Sequence, residues 1–292
     1  MRFHFSDNYL WHNNCIYKIV GTANKDNLLF RSIVVKSRRF CITVLITLFT
    51  FASAVLAVEE EVVKFSASAD YYSKYIWRGQ LLDNKSVFQP AVSASVYGFT
   101  GSIWGNMNLS NSDKIVPDNG GEFSEFDWTL DYTNALPDVD GVNFSVGTIY
   151  YRFPNQVYKP TTEIYGGLSL SNVPLTPTFK VYRDLDEADG TYFQLGVGHI
   201  FEKIYVVNEK CYCGLQLGAS IAWANKAYND FYFGVDSGQF NDLALNLGLP
   251  FCVSSWTIRP GINYSTILAD SIRRATDKSN NLWWGIGLST SF

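Results

Sequence analysis

From Leu282 to Phe292 the chain alternates strictly between two kinds of side chain. Leu282, Trp284, Ile286, Leu288, Thr290 and Phe292 point one way, while Trp283, Gly285, Gly287, Ser289 and Ser291 point the other, because side chains of an extended strand have a period of two. One face is large and apolar and the other is mostly small. A strand of this kind that ends the chain on an aromatic residue fits the closing strand of a membrane barrel. There it pairs with the first strand, expected over residues 62–72, so that no hydrogen-bonding edge is left in lipid.

The same alternation recurs along the chain. Val63, Phe65, Ala67, Ala69 and Tyr71 oppose Lys64, Ser66, Ser68 and Asp70; Ile103, Met107 and Leu109 oppose Ser102, Trp104, Asn106 and Asn108; Phe126, Trp128, Leu130 and Tyr132 oppose Glu125, Asp127, Thr129 and Asp131. With a second segment carrying Phe88, Val92, Ala94 and Val96 outward and further ones near 142–152, 161–170, 176–184, 191–201, 212–224, 239–249 and 256–266, twelve strands are expected, separated by Gly, Asn, Asp and Pro clusters. The fold class is therefore all-β, a transmembrane antiparallel up-and-down barrel. An even strand number returns both termini to one rim, with short turns there and longer loops at the other. The turns expected at 98–101, 135–141, 171–175 and 249–254 are short, whereas 202–210 is long for a turn. Aromatic residues at strand ends, such as Tyr71, Trp77, Phe99, Tyr132, Phe201 and Trp256, suit interfacial girdles.

Composition removes other classes. Aromatic residues make up 16% and charged residues 17%, a balance suited to strands and turns. After residue 60 there is no apolar run of the length a membrane helix needs. Lys36, Arg38 and Arg39 precede an apolar run from Phe40, with small residues near Ala57, the pattern of a secretory signal peptide over 35–57. Residues 1–34 then form an upstream segment ahead of the true start, and 58–292 the barrel. The alternative is a genuine tail before a signal anchor. No basic stretch for nucleic acid follows residue 60, and no cofactor or metal is expected: Cys211 and Cys213 lack metal-ligand spacing and have no histidine nearby. One of that pair is expected to form a disulfide with Cys252, because the periplasm is oxidising and the turns share a rim.

Several stretches resemble one known family: Ala69 to Gly79 (Ala-Asp-Tyr-Tyr-Ser-Lys-Tyr-Ile-Trp-Arg-Gly), Phe88 to Ser93, Ser102 to Gly105, Tyr150 to Asn155, Thr162 to Tyr165 and Tyr182 to Tyr192. They are similar to the TorF-type porins of Gram-negative outer membranes. The resemblance implies an outer-membrane barrel with an assumed channel role and carries over no solute and no functional residue.

The candidate lumen residues are Lys64, Asp70, Lys74, Arg78, Trp104, Glu125, Asp127, Asp131, Glu163, Lys180, Asp184, Asp242 and Arg259. Acids slightly outnumber bases, which points to weak cation preference. Inward glycines Gly196, Gly198, Gly214, Gly218, Gly285 and Gly287 are expected to leave a thin wall with a passage along it. Arg78 reads equally as a structural tie to acidic loop residues or as a solute contact. Asp184, Asp186, Glu187 and Asp189 suggest a calcium loop but lack its register, so an acidic hairpin loop is the plainer reading. A rim hydrolase would need a base beside a hydroxyl. The one histidine after residue 60, His199, has no hydroxyl at the near strand positions and reads as a girdle residue. The expected function is passive diffusion of small hydrophilic solutes or ions, the alternative being a plugged structural or adhesive barrel. Trp284, Ile286, Leu288 and Phe292 form the closing signal read by the barrel-assembly machinery, and the remaining partners are outer-membrane lipid and lipopolysaccharide.

Overall fold

The computed structural model describes residues 63–111 and 119–292. The expected signal peptide and upstream segment lie outside them. Twelve strands close into one antiparallel barrel: β1 (Lys64–Tyr72), β4 (Val87–Val96), β5 (Phe99–Asn108), β6 (Phe123–Ala135), β7 (Val142–Arg152), β8 (Thr161–Leu170), β9 (Thr178–Asp184), β10 (Thr191–Asn208), β11 (Cys211–Ala224), β12 (Gln239–Gly248), β14 (Trp256–Ile267) and β15 (Asn280–Ser291). Three short strands lie outside the ring order. β2 (Tyr75–Trp77) and β3 (Gln80–Asp83) pair only with each other, and β13 (Phe251–Val253) bridges β11 and β14.

The closing pair is the one expected. β1 runs antiparallel to β15 from Ser66 opposite Ser291 to Tyr72 opposite Gly285. Phe65 and Phe292 then exchange both backbone hydrogen bonds, at 2.8 and 3.0 Å. Their rings stack at 6.1 Å, and Tyr71 lies against Trp284 at 5.3 Å. The seam therefore carries an aromatic pair near each end, and Phe292 contributes a full rung of the ladder.

Outward positions form an apolar belt. Val92, Leu130, Leu195 and Ile262 are each more than half exposed, and Val146, Ile164, Leu168, Leu245 and Ile286 nearly so. A water-facing surface of this kind would be an aggregation hazard. On a closed barrel without free edges it matches the lipid-facing band of outer-membrane barrels. Pro90 sits inside β4 and has no N–H to donate. The β4–β5 ladder skips Gln89 and Pro90, resuming at Ala91 opposite Trp104.

Both termini of the barrel share the inner rim with the turns at 97–98, 136–141, 171–177, 209–210 and 249–255, and the longer connections lie at the outer rim. The long inner turn read at 202–210 is corrected. β10 and β11 continue as a ladder to Asn208 opposite Cys211, with register shifts around Lys203, which has φ 56°, so that the turn is only Glu209 and Lys210. Alternation faltered where the bulge changed the parity.

The outer loops contain structure that periodicity did not reveal. Residues 73–86, between β1 and β4, hold the β2–β3 hairpin. Residues 225–238 hold helix α1 (Lys226–Phe233), with Asn225 capping its start by accepting from the Tyr228 N–H and Gly234 at φ 64° closing its end. Residues 268–279 hold the short helix α2 (Asp270–Ala275), whose Ile272 is fully buried.

Candidate functional site

The hairpin β2–β3 turns at Arg78 and Gly79, both with positive φ, 45° and 80°. That is the signature of a tight two-residue turn, with Trp77 paired to Gln80 across it. The turn points into the lumen. On one side Tyr75 donates its hydroxyl to Glu125 Oε2 on β6 at 2.8 Å and packs on Trp104 of β5 at 5.9 Å. On the other side Gly79 lies against β12 and β14: a Cβ placed there would stand 2.7 Å from Asp242 Cβ and from Ile267 Cδ1. In the strand order β6 and β12 are diametrically opposed. The hairpin therefore crosses the barrel from wall to wall.

Arg78 is the centre of this crossing. Its guanidinium forms a bidentate pair with Glu163 of β8, Nη1 to Oε1 at 2.8 Å and Nη2 to Oε2 at 2.7 Å. Its Cζ lies 4.5 Å from the Trp77 ring centre, 4.6 Å from Tyr182 and 4.4 Å from Tyr192, with Tyr228 at 5.8 Å. Side-chain exposure is 9% for Arg78 and 3% for Glu163. A charge pair so far from water persists only when its remaining hydrogen-bonding capacity is filled, and here Tyr151 adds a third bond to Glu163 at 2.8 Å. In this structure Arg78 is thus bonded to an acid. Its acid is a strand residue of the lumen wall, though, and not a loop residue.

A common device recurs along the lumen wall, a tyrosine hydroxyl donated to a carboxylate. Besides Tyr75 to Glu125 and Tyr151 to Glu163, Tyr192 donates to Asp242 at 2.9 Å and Tyr165 to Asp131 at 2.5 Å. Helix α1 completes the cluster. Tyr228 packs on Tyr192 at 5.4 Å and Tyr232 on Trp77 at 5.4 Å, and burial pushes the phenols of Tyr228 and Tyr232 up, so both stay neutral. Asn229 ties the helix to the wall by accepting from Asn241 Nδ2 at 2.7 Å. Gly190 permits the approach of α1, since a Cβ there would meet Tyr228 backbone at 2.6 Å.

The remaining candidates fall in different places. Trp104, Glu125, Asp127, Asp131, Glu163 and Asp242 sit on the inner face with Arg78. Lys180 lies over the Tyr165 ring at 5.4 Å. Asp70 and Arg259 lean over Gly287 lower in the lumen. Lys64 is exposed at the inner rim. One candidate, Lys74, leaves the lumen. Lys74 lies past the end of β1 and donates to the Leu282 carbonyl at 2.9 Å. Asp184, the last residue of β9 and directly opposite Glu163, is buried at the outer end of the wall, where its Oδ1 accepts the N–H groups of Asp186, Ala188 and Asp189 and its Oδ2 the Thr161 hydroxyl. That carboxylate is saturated by loop donors, so the acidic hairpin is an Asx-turned loop. Among the described residues no group of three or more His, Cys, Asp or Glu is placed to hold a metal.

The expected disulfide is not formed. The register sets Cys252 opposite Tyr212, with Cys211 opposite Val253 and Cys213 opposite Phe251. Cys211 and Cys213 therefore point to one face and Cys252 to the other, and all three are free thiols. The expected open glycine wall is also altered. The Tyr72 ring covers Gly285, Asp70 covers Gly287 and the Asn246 amide covers Gly218. His199 is exposed on the outer face, with its ring 4.5 Å from Phe201.

At the inner end the wall changes character. A cleft of about 500 Å³ is lined largely by hydroxyls, among them Ser66, Ser68, Ser93, Ser102, Thr257 and Ser289. Sequence signals for the outer cluster existed but were short. The Trp-Arg-Gly-Gln run suits a two-residue hairpin, and the Asn225 and Gly234 caps bracket a helix.

Fold and lumen together define a closed twelve-stranded membrane barrel of outer-membrane architecture, with outer loops folded inward. No protein-family model matches the chain, and no curated protein matches it. Among solved structures, a NanC porin is 12% identical with a TM-score of 0.45, covering 77% of this chain and 98% of that one. A KdgM porin is 9% identical with a TM-score of 0.45, covering 78% and 99%. LpxR from Salmonella typhimurium is 8% identical with a TM-score of 0.47, covering 77% and 99%. Likeness at this level assigns neither activity nor solute.

Proposed function

We propose that the protein is a narrow outer-membrane channel for small hydrophilic solutes or ions whose outer end is obstructed by the β2–β3 hairpin. The observation that carries this reading is what fills the lumen. An eight-stranded barrel is filled by its own wall side chains, and a larger ring leaves space. Here that space is taken by an inserted loop, which bonds to β6 and β8 and packs against β12 and β14. A loop can withdraw, whereas wall side chains cannot. The hydroxyl-lined cleft at the inner end supplies a wet entrance. The likeness to TorF-type porins agrees with a channel role. In this reading the apolar belt contacts lipid and lipopolysaccharide, the Phe292 strand is the segment met by the assembly machinery, and the protein is not an enzyme.

The bidentate Arg78–Glu163 pair and its aromatic packing favour a second reading, a permanently plugged structural or adhesive barrel. Single-channel recording decides between them. Replacement of residues 76–81 by a glycine-serine loop is expected to raise the conductance of the refolded barrel in KCl well above wild type. If the wild type and this variant are both silent although each shows heat-dependent gel mobility, the plugged barrel is the better description.

A further inference from the structure

The aromatic cage around Arg78 belongs mostly to the barrel and not to the hairpin that enters it. Glu163 comes from β8, Tyr182 from β9, Tyr192 from β10, Asp242 from β12 and Tyr228 from α1; only Trp77 travels with Arg78. We propose that this cage is a binding site for a guanidinium-bearing solute, filled in this structure by the protein's own arginine. The proposal rests on the channel reading and specifies the cation that the lumen selects.

Three observations carry it. First, with the hairpin withdrawn the cage would hold two carboxylates, Glu163 at 3% and Asp242 at 2% exposure, and no cation. Buried charge of one sign is costly unless a counter-charge takes the vacated place, so opening favours entry of a cation. Second, the Tyr228 hydroxyl, buried and outside close hydrogen-bonding geometry with any described residue, faces the Arg78 guanidinium, which places one more acceptor at the cage. Third, the guest is held in an unfavourable backbone. Arg78 has φ 45°, in the left-handed region that non-glycine residues rarely adopt, so a free solute of the same chemistry would fill the cage without that cost.

The geometry also selects the cation. Ring faces of Tyr182 and Tyr192 within 5 Å of Cζ suit a planar delocalised ion, and Glu163 offers both oxygens to a forked donor. A guanidinium meets both demands, whereas an ammonium is a compact, strongly hydrated point charge. Neutral sugars and anions meet neither.

The test uses ethylguanidinium and, at equal concentration, ethylammonium, titrated calorimetrically into refolded barrel in detergent. In the variant with residues 76–81 replaced by a glycine-serine loop, ethylguanidinium is expected to bind saturably and about tenfold more tightly than ethylammonium. Glu163→Gln in that background should abolish binding. The wild type should bind about tenfold more weakly or not at all, because Arg78 occupies the cage. Arg78→Ala, which empties the cage and keeps the hairpin, should bind as the loop variant does and guards against misfolding of the latter. No binding to folded loop variant and to Arg78→Ala, binding that survives Glu163→Gln, or equal binding by the wild type would overturn the site. KCl conductance of the loop variant is read separately. Conduction without ethylguanidinium binding removes the cage proposal alone, and binding without conduction removes the channel reading alone.

Discussion

Arg78 and Glu163 illustrate why single residues in this lumen are unequal. Removing one member of a buried pair leaves the other charged and unsolvated, a loss of about 3–5 kcal/mol, whereas removing both by apolar groups is far milder. Arg78→Met and Glu163→Leu, each alone, are therefore expected to lower the unfolding midpoint of the refolded barrel in urea, and the double variant to recover part of the loss. Equal, additive losses would show that the two side chains do not act as a pair. Gly79 is constrained differently. With φ 80° and Asp242 and Ile267 at 2.7 Å from any Cβ, Gly79→Ala should strain the turn by about 1–3 kcal/mol and loosen the hairpin. Accelerated backbone hydrogen exchange at residues 75–83 would report it, and unchanged exchange would refute the close approach.

At the scale of elements, the two faces of β15 provide a sharp comparison. Leu288 is an outward residue opposite Ala69 and Ile258, and Ser289 an inward one opposite Ser68 and Thr257. Lysine at Leu288 should cost about 2–4 kcal/mol if the site lies near the bilayer midplane, while lysine at Ser289 faces the hydroxyl-lined cleft and should be mild. Unfolding titrations in lipid vesicles check this, and similar losses at both positions would mean the faces are reversed. Deleting Phe292 removes the mutual backbone pair with Phe65 and should slow barrel assembly, followed by the appearance of the heat-modifiable band. These strands were legible in the sequence because each carries its own period of two: β7, β8 and β15 lie within a residue or two of their expected limits. The hairpin, α1 and α2 were not. Their stability comes from partners far along the chain, such as Tyr75 with Glu125 and Asn229 with Asn241, and a pattern search within a short window has no access to such pairs. Parity set Asp184 at the end of a strand, where it is, but did not show that three loop N–H groups claim its carboxylate.

For the whole molecule the decisive property is which ions cross the barrel and how fast. The inner wall carries Glu125, Asp127, Glu163 and Asp242 in its outer half and Asp131 nearer the inner end, and the arginine among them is the hairpin's Arg78. Withdrawal of the hairpin would therefore leave an acidic constriction, where low dielectric strengthens the attraction for cations and the repulsion of anions. With the hairpin present Arg78 neutralises Glu163 and the loop shields the cluster, and selectivity should be weaker. The glycine-serine loop variant at residues 76–81 is thus expected to show a larger conductance and also a reversal potential, under a KCl gradient, shifted toward the cation equilibrium value relative to wild type. Asp127→Lys together with Asp131→Lys in the same background should move it back toward anions. The ordering of these three reversal potentials is the prediction. A loop variant that conducts more but is no more cation-selective than wild type would mean that solutes bypass the carboxylate cluster.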